Sequence, residues 1–362
     1  MAHSRFAKNT ESGKAPQHPA APRTQTETGD RGNGFDFIRY VLAFVVAVAH
    51  FYGLTDTPRQ GWWMTSGDAV SGFFVLSGFL VFRSFQRQPD WRHYARRRLC
   101  RVVPPYLFII LLCVVAGAFL TEWPTADYLT SGQTYRYLLA NVFFLNFLEP
   151  SLPGVFSHNA LTAVNGALWT MKVELLLYAT VPLVAACLRR WRPAVVLTAI
   201  FLLSFLYAEG LDALHNATGN AVCLMLKRQF VSQLVYFYAG TAALLYFAPF
   251  QRNAIWLLPL ALFVYIAHHA WGCCAYLYPF AWAALIVGTA FHVPCLRFAS
   301  RVSNISYSIY LFHFPVIQTV LSFGLHQRSF WGALVLSLTL TALLAACSWK
   351  LVEKPWLRLA RR

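Results

Sequence analysis

Ten long apolar runs restrict this chain to a membrane fold. Each run has about 17 residues or more, which is the length that an α-helix needs to cross the hydrocarbon core of a bilayer. Charged residues make up only 12% of the sequence, whereas a soluble domain contains about 25%. We therefore predict an all-α fold, a polytopic membrane bundle of about ten transmembrane helices. The runs lie at about 35–54, 68–84, 102–121, 169–188, 193–209, 221–248, 254–270, 273–291, 305–323 and 331–352.

Three stretches outside these runs define the domain limits. Residues 1–33 combine Pro, Ala, Thr and Gly with charges of both signs and have no apolar periodicity, which predicts a disordered tail. The membrane domain is expected at 34–356, with a short basic tail at 357–362. The stretch 135–148 is apolar but short for a crossing, so it predicts a re-entrant or interfacial helix and leaves a count of eleven spans open.

The distribution of arginines predicts the orientation of the bundle. Segment 83–101 contains seven arginines and a single acidic residue, Asp90. Since Lys and Arg are in excess in cytoplasmic loops, this loop is expected to be cytoplasmic, and ten crossings place both termini on the same side. The net charge of +16 then reflects membrane topology, and no nucleic-acid partner is expected.

Ionisable residues within the apolar runs are the candidate functional groups. Arg39 and His50 are eleven residues apart, so on a helix they share one face at a separation of about 16 Å. Glu174 follows Trp169 by five residues, at the start of a span predicted to run inward. We therefore expect His50 and Glu174 to form an acid/base pair in the outer half, and Arg39 to lie with Arg98 and Arg101 at the cytoplasmic face.

These groups suit transfer of an acyl group from a cytoplasmic, anionic carrier to an acceptor on the other side. Guanidinium groups bind phosphates, and the i, i+3 spacing places Arg98 and Arg101 on one helix face. A neutral imidazole can take the proton of an attacking hydroxyl, and a carboxylate can orient the ring. The alternatives are a histidine that only bonds a neighbouring helix and arginines that only determine topology.

Six motifs in order along the chain resemble the integral-membrane acyltransferase 3 family. They are Asp-Phe-Ile-Arg at 36–39 followed by His50; Gly-Phe-Phe-Val-Leu-Ser-Gly-Phe-Leu at 72–80; Arg-Arg-Leu-Cys-Arg-Val-Val-Pro-Pro-Tyr at 97–106; Leu-Trp-Thr-Met-Lys-Val-Glu at 168–174, with Tyr178 and Pro182; Ile-Ser-Tyr-Ser-Ile-Tyr-Leu-Phe-His-Phe-Pro at 305–315; and Glu-Lys-Pro at 353–355.

The resemblance implies an O-acyltransferase that uses acetyl-CoA as acyl donor and a carbohydrate hydroxyl as acceptor, with no metal. His50 matches the family's essential histidine, and Arg39 matches the arginine that precedes it. Arg98 and Arg101 match its Arg-x-x-Arg pair. Glu174 matches the first carboxylate of a Ser-Val-Glu-Glu-Gln-Phe-Tyr motif, whose second carboxylate and next polar position are leucines here. We expect a member without an attached SGNH, esterase-like domain.

Three further residues of these motifs have open roles. Tyr310 and His313 either line the donor channel or satisfy each other. Ser77 lies between Gly72 and Gly78, which favours close helix packing over a role as nucleophile. We include all three among the candidate substrate-binding residues.

The expected location is the bacterial cytoplasmic (inner) membrane. The expected partners are acyl-CoA, a lipid-linked glycan such as an exopolysaccharide repeat unit, the lipid bilayer and polysaccharide-assembly proteins. His50 would act either as a general base or through a transient acyl-histidine. A secondary transporter of a carbohydrate or lipid-linked intermediate is the alternative, although no internal repeat supports it. A scaffold of a secretion complex would leave His50 and Glu174 unexplained.

Overall fold

The computed structural model describes residues 34–58, 64–301 and 305–360. The predicted disordered tail at 1–33 and the last two residues of the predicted basic tail lie outside the described residues. Within the described part the chain is all-α, with sixteen α-helices and no strand. The helices are α1 (Phe35–Leu54), α2 (Ser66–Arg87), α3 (Trp91–Leu120), α4 (Thr125–Thr130), α5 (Gly132–Val142), α6 (Trp169–Arg190), α7 (Pro193–Thr218), α8 (Ala221–Lys227), α9 (Phe230–Leu245), α10 (Phe247–Arg252), α11 (Ala254–Trp271), α12 (Tyr278–His292), α13 (Ser306–Ser322), α14 (Leu325–Arg328), α15 (Phe330–Ser348) and α16 (Lys354–Leu359).

Seven helices in the described part are long and apolar enough to cross a membrane. They are α1, α2, α3, α6, α7, α11 and a continuous helix over Phe330–Leu359, in which a π-helical segment, Trp349–Glu353, joins α15 to α16. Helices α9, α12 and α13 occupy predicted spans but have only 16, 15 and 17 residues. A multi-pass helical membrane fold is therefore confirmed, whereas the count of ten and the orientation of the termini stay predictions.

Helix α2 lies at the centre of the bundle, in contact with α1, α6, α9 and α12. Its approach to α9 depends on two glycines. A Cβ atom on Gly78 would lie 1.7 Å from the carbonyl oxygen of Phe237, and one on Gly240 would lie 2.1 Å from that of Val75. Only glycine allows the two backbones to come this close, as small residues do in other membrane helix pairs.

The segment between α5 and α6 is irregular and lies along α13. The side-chain amide of Gln318 donates to the carbonyls of Leu161 and Ala163 at 2.6 and 2.8 Å, and Asn165 donates to the carbonyl of Leu311 at 2.9 Å. Non-helical backbone within a bundle needs such partners, because lipid offers none. The segment thus brings the start of α6 against the middle of α13.

The apolar stretch 135–148 forms α5 from Tyr135 onward and the turns that follow it. The hydroxyl of Tyr106 in α3 donates to the carbonyl of Asn141 at 2.6 Å, and the Phe144 ring stacks on Tyr106 at 4.2 Å. The helix is short, as the sequence predicts, and it packs on α3.

Candidate active site

A cavity lies between the middle of α2 and the N-terminal half of α3. We call the end of the bundle where α2 joins α3 the basic end, because of the arginines in 83–101. Residues of helices α1, α2, α3, α6 and α13 line the cavity. Arg39, Arg98, Arg101 and Glu174 line it. The prediction that the three arginines gather at one place is confirmed, and we call this space the arginine cavity.

A hydrogen-bonded network holds Glu174 at the wall of the arginine cavity. The hydroxyl of Tyr178, one turn later on α6, donates to the Glu174 carboxylate. Ser77 of α2 lies 3.5 Å from the same hydroxyl. The guanidinium of Arg98 lies over the Tyr178 ring, 5.9 Å from its centroid. A carboxylate, two hydroxyls and a cation from three helices therefore meet here.

The other two arginines are also fixed by neighbours. Arg39 donates to Asp36, one turn earlier on α1, at 2.9 Å. The guanidinium of Arg101 lies 6.0 Å from the centre of the Tyr307 ring, which itself lines the cavity. With three guanidinium groups and one carboxylate in its lining, the cavity is cationic and suits an anionic ligand.

His50 is paired with a second histidine on α13. Its Nδ1 lies 2.8 Å from Nε2 of His313, and the two rings are stacked with their centroids 5.0 Å apart. Nδ1 of His313 lies 2.7 Å from the carbonyl oxygen of Tyr310. His313 is completely buried, whereas His50 is half-buried.

These contacts determine the tautomers of both rings when both are neutral. A carbonyl oxygen can only accept, so Nδ1 of His313 carries the proton and its Nε2 accepts. Nδ1 of His50 must then donate to His313, and the lone pair of the His50 ring lies on Nε2. The hydrogen bond from His50 to His313 thus fixes the orientation of the His50 ring.

Tyr310 connects the histidine pair to the arginine cavity. Its side chain lines the cavity, and its hydroxyl lies 2.9 Å from that of Thr170 at the start of α6. The ring centres of Tyr310 and His313 are 5.6 Å apart. Since Arg39 lines the cavity beside α13 and His50 contacts His313 of the same helix, the predicted shared face of Arg39 and His50 is confirmed.

The prediction that Glu174 lies at the depth of His50 and forms an acid/base pair with it is wrong. It rested on the assumption that Trp169, where α6 begins, lies at the outer surface. Instead the preceding segment descends along α13, so that α6 begins beside Tyr310 and Glu174 reaches the arginines. His313 lies at the position beside His50 where a carboxylate was expected.

Other predicted and unpredicted residues also meet in the cavity. Ser77 precedes Gly78, which makes the close contact with α9, and its own side chain lines the cavity. This part of α2 therefore serves both the packing of the two helices and the wall of the cavity. Thr170 and Tyr307 line the cavity without having been singled out. The i, i+3 spacing of Tyr307 and Tyr310 in an apolar span is the signal that could have identified that wall.

Comparisons with known proteins agree with this geometry. A family model described as an acyltransferase domain (Acyl_transf_3) matches residues 33–350. An O-acetyl transferase of Shigella phage Sf6 is 25% identical over 90% of this chain and 96% of its own length. Nodulation protein 10 of Rhizobium leguminosarum bv. viciae is 27% identical, over 93% and 96%. The O-acetyltransferase OatA of Staphylococcus aureus is 24% identical over 81% of this chain and 53% of its own length.

No solved structure matches the chain. The family match covers the arginine cavity, the histidine pair and every membrane helix up to the π-helical segment. The resemblance drawn from the motifs is confirmed, and the chain belongs to the acyltransferase 3 family of multi-pass membrane acyltransferases.

Proposed function

We propose that this protein is an O-acetyltransferase that moves an acetyl group from acetyl-CoA to a hydroxyl group of a carbohydrate acceptor. The observation that carries the proposal is the oriented His50–His313 pair next to a cavity with three arginines. The names of two relatives support acetyl as the group that is moved.

The arginine cavity would hold the phosphates of the donor. Coenzyme A carries a diphosphate, and guanidinium groups bind phosphate oxygens in pairs. Arg39 begins a helix face that reaches His50 after about 16 Å. A diphosphate between Arg39, Arg98 and Arg101 would therefore leave the extended pantetheine arm to run along α13 toward His50.

Nε2 of His50 would carry the chemistry. As the acceptor hydroxyl oxygen attacks the thioester carbon, its proton passes to Nε2 and the carbon–sulfur bond breaks. Nε2 then donates this proton to the departing thiolate, which leaves as coenzyme A. His313 keeps Nδ1 of His50 engaged as a donor throughout and so stabilises the imidazolium. Formation of an acyl-histidine before attack by the hydroxyl would use the same nitrogen.

The remaining site residues would position the donor. Glu174 and Ser77 act through Tyr178, whose hydroxyl and ring contact them and Arg98. In this role Glu174 limits the positive charge of the cavity and holds the arginines in place. Tyr310 would lie between the phosphate site and the histidine pair. Its carbonyl oxygen contacts Nδ1 of His313.

We further propose a glycan acceptor at the opposite face of the bacterial inner membrane, such as a lipid-linked exopolysaccharide unit, with polysaccharide-assembly proteins as partners. The arginines in the adjoining ends of α2 and α3 support a cytoplasmic donor site. The half-buried His50, near the other end of α1, then faces the side where exported glycans are completed.

The test combines a cellular and a purified assay. A deletion strain is complemented with wild-type protein or with His50→Gln at equal membrane expression, and the O-acetyl content of surface and secreted polysaccharides is measured. Purified protein in lipid nanodiscs is then given acetyl-labelled acetyl-CoA and the extracted glycan. Loss of acetylation that only the wild type restores supports the proposal, whereas full restoration by His50→Gln excludes His50 as the reacting group.

A further inference from the structure

Glu353 is a buried carboxylate that the proposed function does not use. It begins the Glu-Lys-Pro motif at 353–355 and is 1% exposed. One carboxylate oxygen accepts from the Ser308 hydroxyl of α13, and the other, Oε2, is buried without a hydrogen-bond partner. A negative charge in such a place lowers stability unless a positive charge lies near it. Glu353 therefore calls for a neighbouring cation.

A local change of helix type places Glu353 against α13. Ser348 and Glu353 are five residues apart, yet both contact the Ser308 hydroxyl, Ser348 at 3.2 Å. In an α-helix two such residues would point about 140° apart, because each residue turns the helix by about 100°. The π-helical segment Trp349–Glu353 brings positions five apart onto one face. Single π turns are frequent at functional sites, and this one directs a carboxylate toward the helix that lines the arginine cavity.

Arg101 is the cation that acts on this carboxylate. Its guanidinium lies 6.0 Å from the centre of the Tyr307 ring, and Tyr307 directly precedes Ser308 on α13. The Tyr307 hydroxyl donates to the carbonyl of Val102 at 3.0 Å, which fixes the ring between α3 and α13. Arg101 and Glu353 attract each other electrostatically. Arg101 lines the cavity whereas Glu353 does not, so the carboxylate acts on Arg101 from outside the ligand space.

Each of the three arginines that line the cavity has one acidic residue near it. The pairs are Arg39 with Asp36, Arg98 with Glu174 through Tyr178, and Arg101 with Glu353. Three carboxylates thus offset three guanidinium groups when the cavity is empty. An anionic ligand is attracted by the arginines and repelled by the carboxylates, so its affinity depends on both sets. Glu353 belongs to the set that opposes binding.

We infer that Glu353 is a positioning residue that holds part of the charge of Arg101 and so keeps the anionic ligand bound weakly enough to be released. The inference rests on the proposed function, in which this ligand is coenzyme A. Without the Glu353 charge, Arg101 has no carboxylate that competes with the ligand. Coenzyme A would then bind more tightly and leave more slowly after each transfer.

The experiment measures the Kd of coenzyme A by isothermal titration calorimetry with purified protein in lipid nanodiscs. Glu353→Gln keeps an acceptor for Ser308 but removes the charge, and we expect Kd to fall about 3-fold to 10-fold. KM for acetyl-CoA should fall by a similar factor, with kcat unchanged or lower because product release is slower. A purely structural role would leave Kd unchanged or raise it. Glu353→Asp keeps the charge and should stay close to the wild-type Kd.

A double-mutant cycle tests whether the effect passes through Arg101. In the Arg101→Gln background coenzyme A binds more weakly, and adding Glu353→Gln should change Kd by less than about twofold. Asp212→Asn is the matched control, because it removes a carboxylate that is paired with Lys227 on helices that do not line the cavity. It should leave the Kd of coenzyme A unchanged.

An unchanged or higher Kd in folded Glu353→Gln protein, or equal tightening with and without Arg101, would overturn the inference while coenzyme A still binds. Failure of coenzyme A to bind the wild type would instead remove the proposed donor. Thermal unfolding curves show which variants are folded. Glu353→Met, which fills a buried position without a charge, replaces the glutamine variant if that variant does not fold, and the same fall in Kd is expected.

Discussion

The protein holds two carboxylates against tyrosine hydroxyls, Asp68 near the start of α2 and Glu174 at the wall of the arginine cavity, and the two sites differ in what remains open. At the far end of α2, Asp68 accepts from the amide and hydroxyl of Thr65 at 2.7 and 2.9 Å and from the Tyr278 hydroxyl. His269 lies 3.4 Å from the same carboxylate. Asp68 is 6% exposed.

Glu174, by contrast, accepts from Tyr178 but is half-buried and faces a cavity with three arginines. Around Asp68 the donors come from the chain itself, and they tie the start of α2 to α11 and α12. Around Glu174 the cations exceed the carboxylate and leave donors unpaired. The comparison teaches that a closed polar cluster stabilises the fold, whereas an open one is prepared for a ligand.

The largest effect should come from His50→Gln, which removes the reacting nitrogen without changing either carboxylate cluster. We expect kcat to fall at least about 10³-fold, since a general base contributes 10²–10⁴-fold and a nucleophile more. Thermal unfolding in detergent should change little, because His50 is half-buried and has one hydrogen bond described. A variant that unfolds easily and keeps its kcat would assign His50 to structure.

For Asp68→Ala we expect a loss of stability with little change in kcat, the opposite of the result for His50→Gln. It leaves the Thr65 amide and the Tyr278 hydroxyl without an acceptor and removes the capping box of α2. The free energy of unfolding, measured by SDS titration in mixed micelles, should fall by about 3 kcal/mol. The kcat of the folded fraction should stay within twofold of the wild type. A loss of kcat comparable to that of His50→Gln would show that the Asp68 cluster takes part in catalysis.

Many helix limits could be predicted from the local sequence, whereas one helix break was not. Apolar runs predicted α1 at 35–54 to the residue and the start of α6 at Trp169, because helix limits depend on nearby residues. The run 221–248 was predicted as one span, whereas the chain breaks between α8 and α9 at the polar residues Arg228 and Gln229. The spacing of Arg39 and His50 also predicted their shared face.

Contacts between segments that are far apart in the sequence could not be predicted from local sequence patterns. The depth of Glu174 depends on the hydrogen bonds that Asn165 and Gln318 make between the irregular segment and α13. The partner of His50 lies 263 residues away in the sequence. A polar amide such as Gln318 in an apolar run is the signal in the sequence for the first of these contacts.

Stabilisation by coenzyme A should depend on the arginine cavity and not on the Asp68 cluster. Coenzyme A at a hundred times its Kd should stabilise the wild-type protein by about 2.7 kcal/mol, since it binds only the folded state. The double variant Arg98→Gln/Arg101→Gln should lose this stabilisation. Asp68→Asn should keep it, although its own unfolding midpoint is lower. If coenzyme A protects the double variant as well as the wild type, the arginine cavity is not the donor site. Thermal unfolding followed by tryptophan fluorescence provides the measurement.

The smallest and most discriminating pair of changes is Tyr278→Phe and Tyr178→Phe, each of which removes a hydroxyl that donates to a carboxylate. At the closed Asp68 cluster an oxygen is left unpaired and buried, so Tyr278→Phe should lower the free energy of unfolding by about 1–2 kcal/mol without changing transfer. At the open cavity water can replace the lost hydroxyl, so Tyr178→Phe should change stability by less than about 0.5 kcal/mol. Its effect should instead be a few-fold increase in KM for acetyl-CoA, because Tyr178 holds Glu174 and the face of Arg98. Equal losses of stability in both variants would mean that the cavity is as closed as the Asp68 cluster.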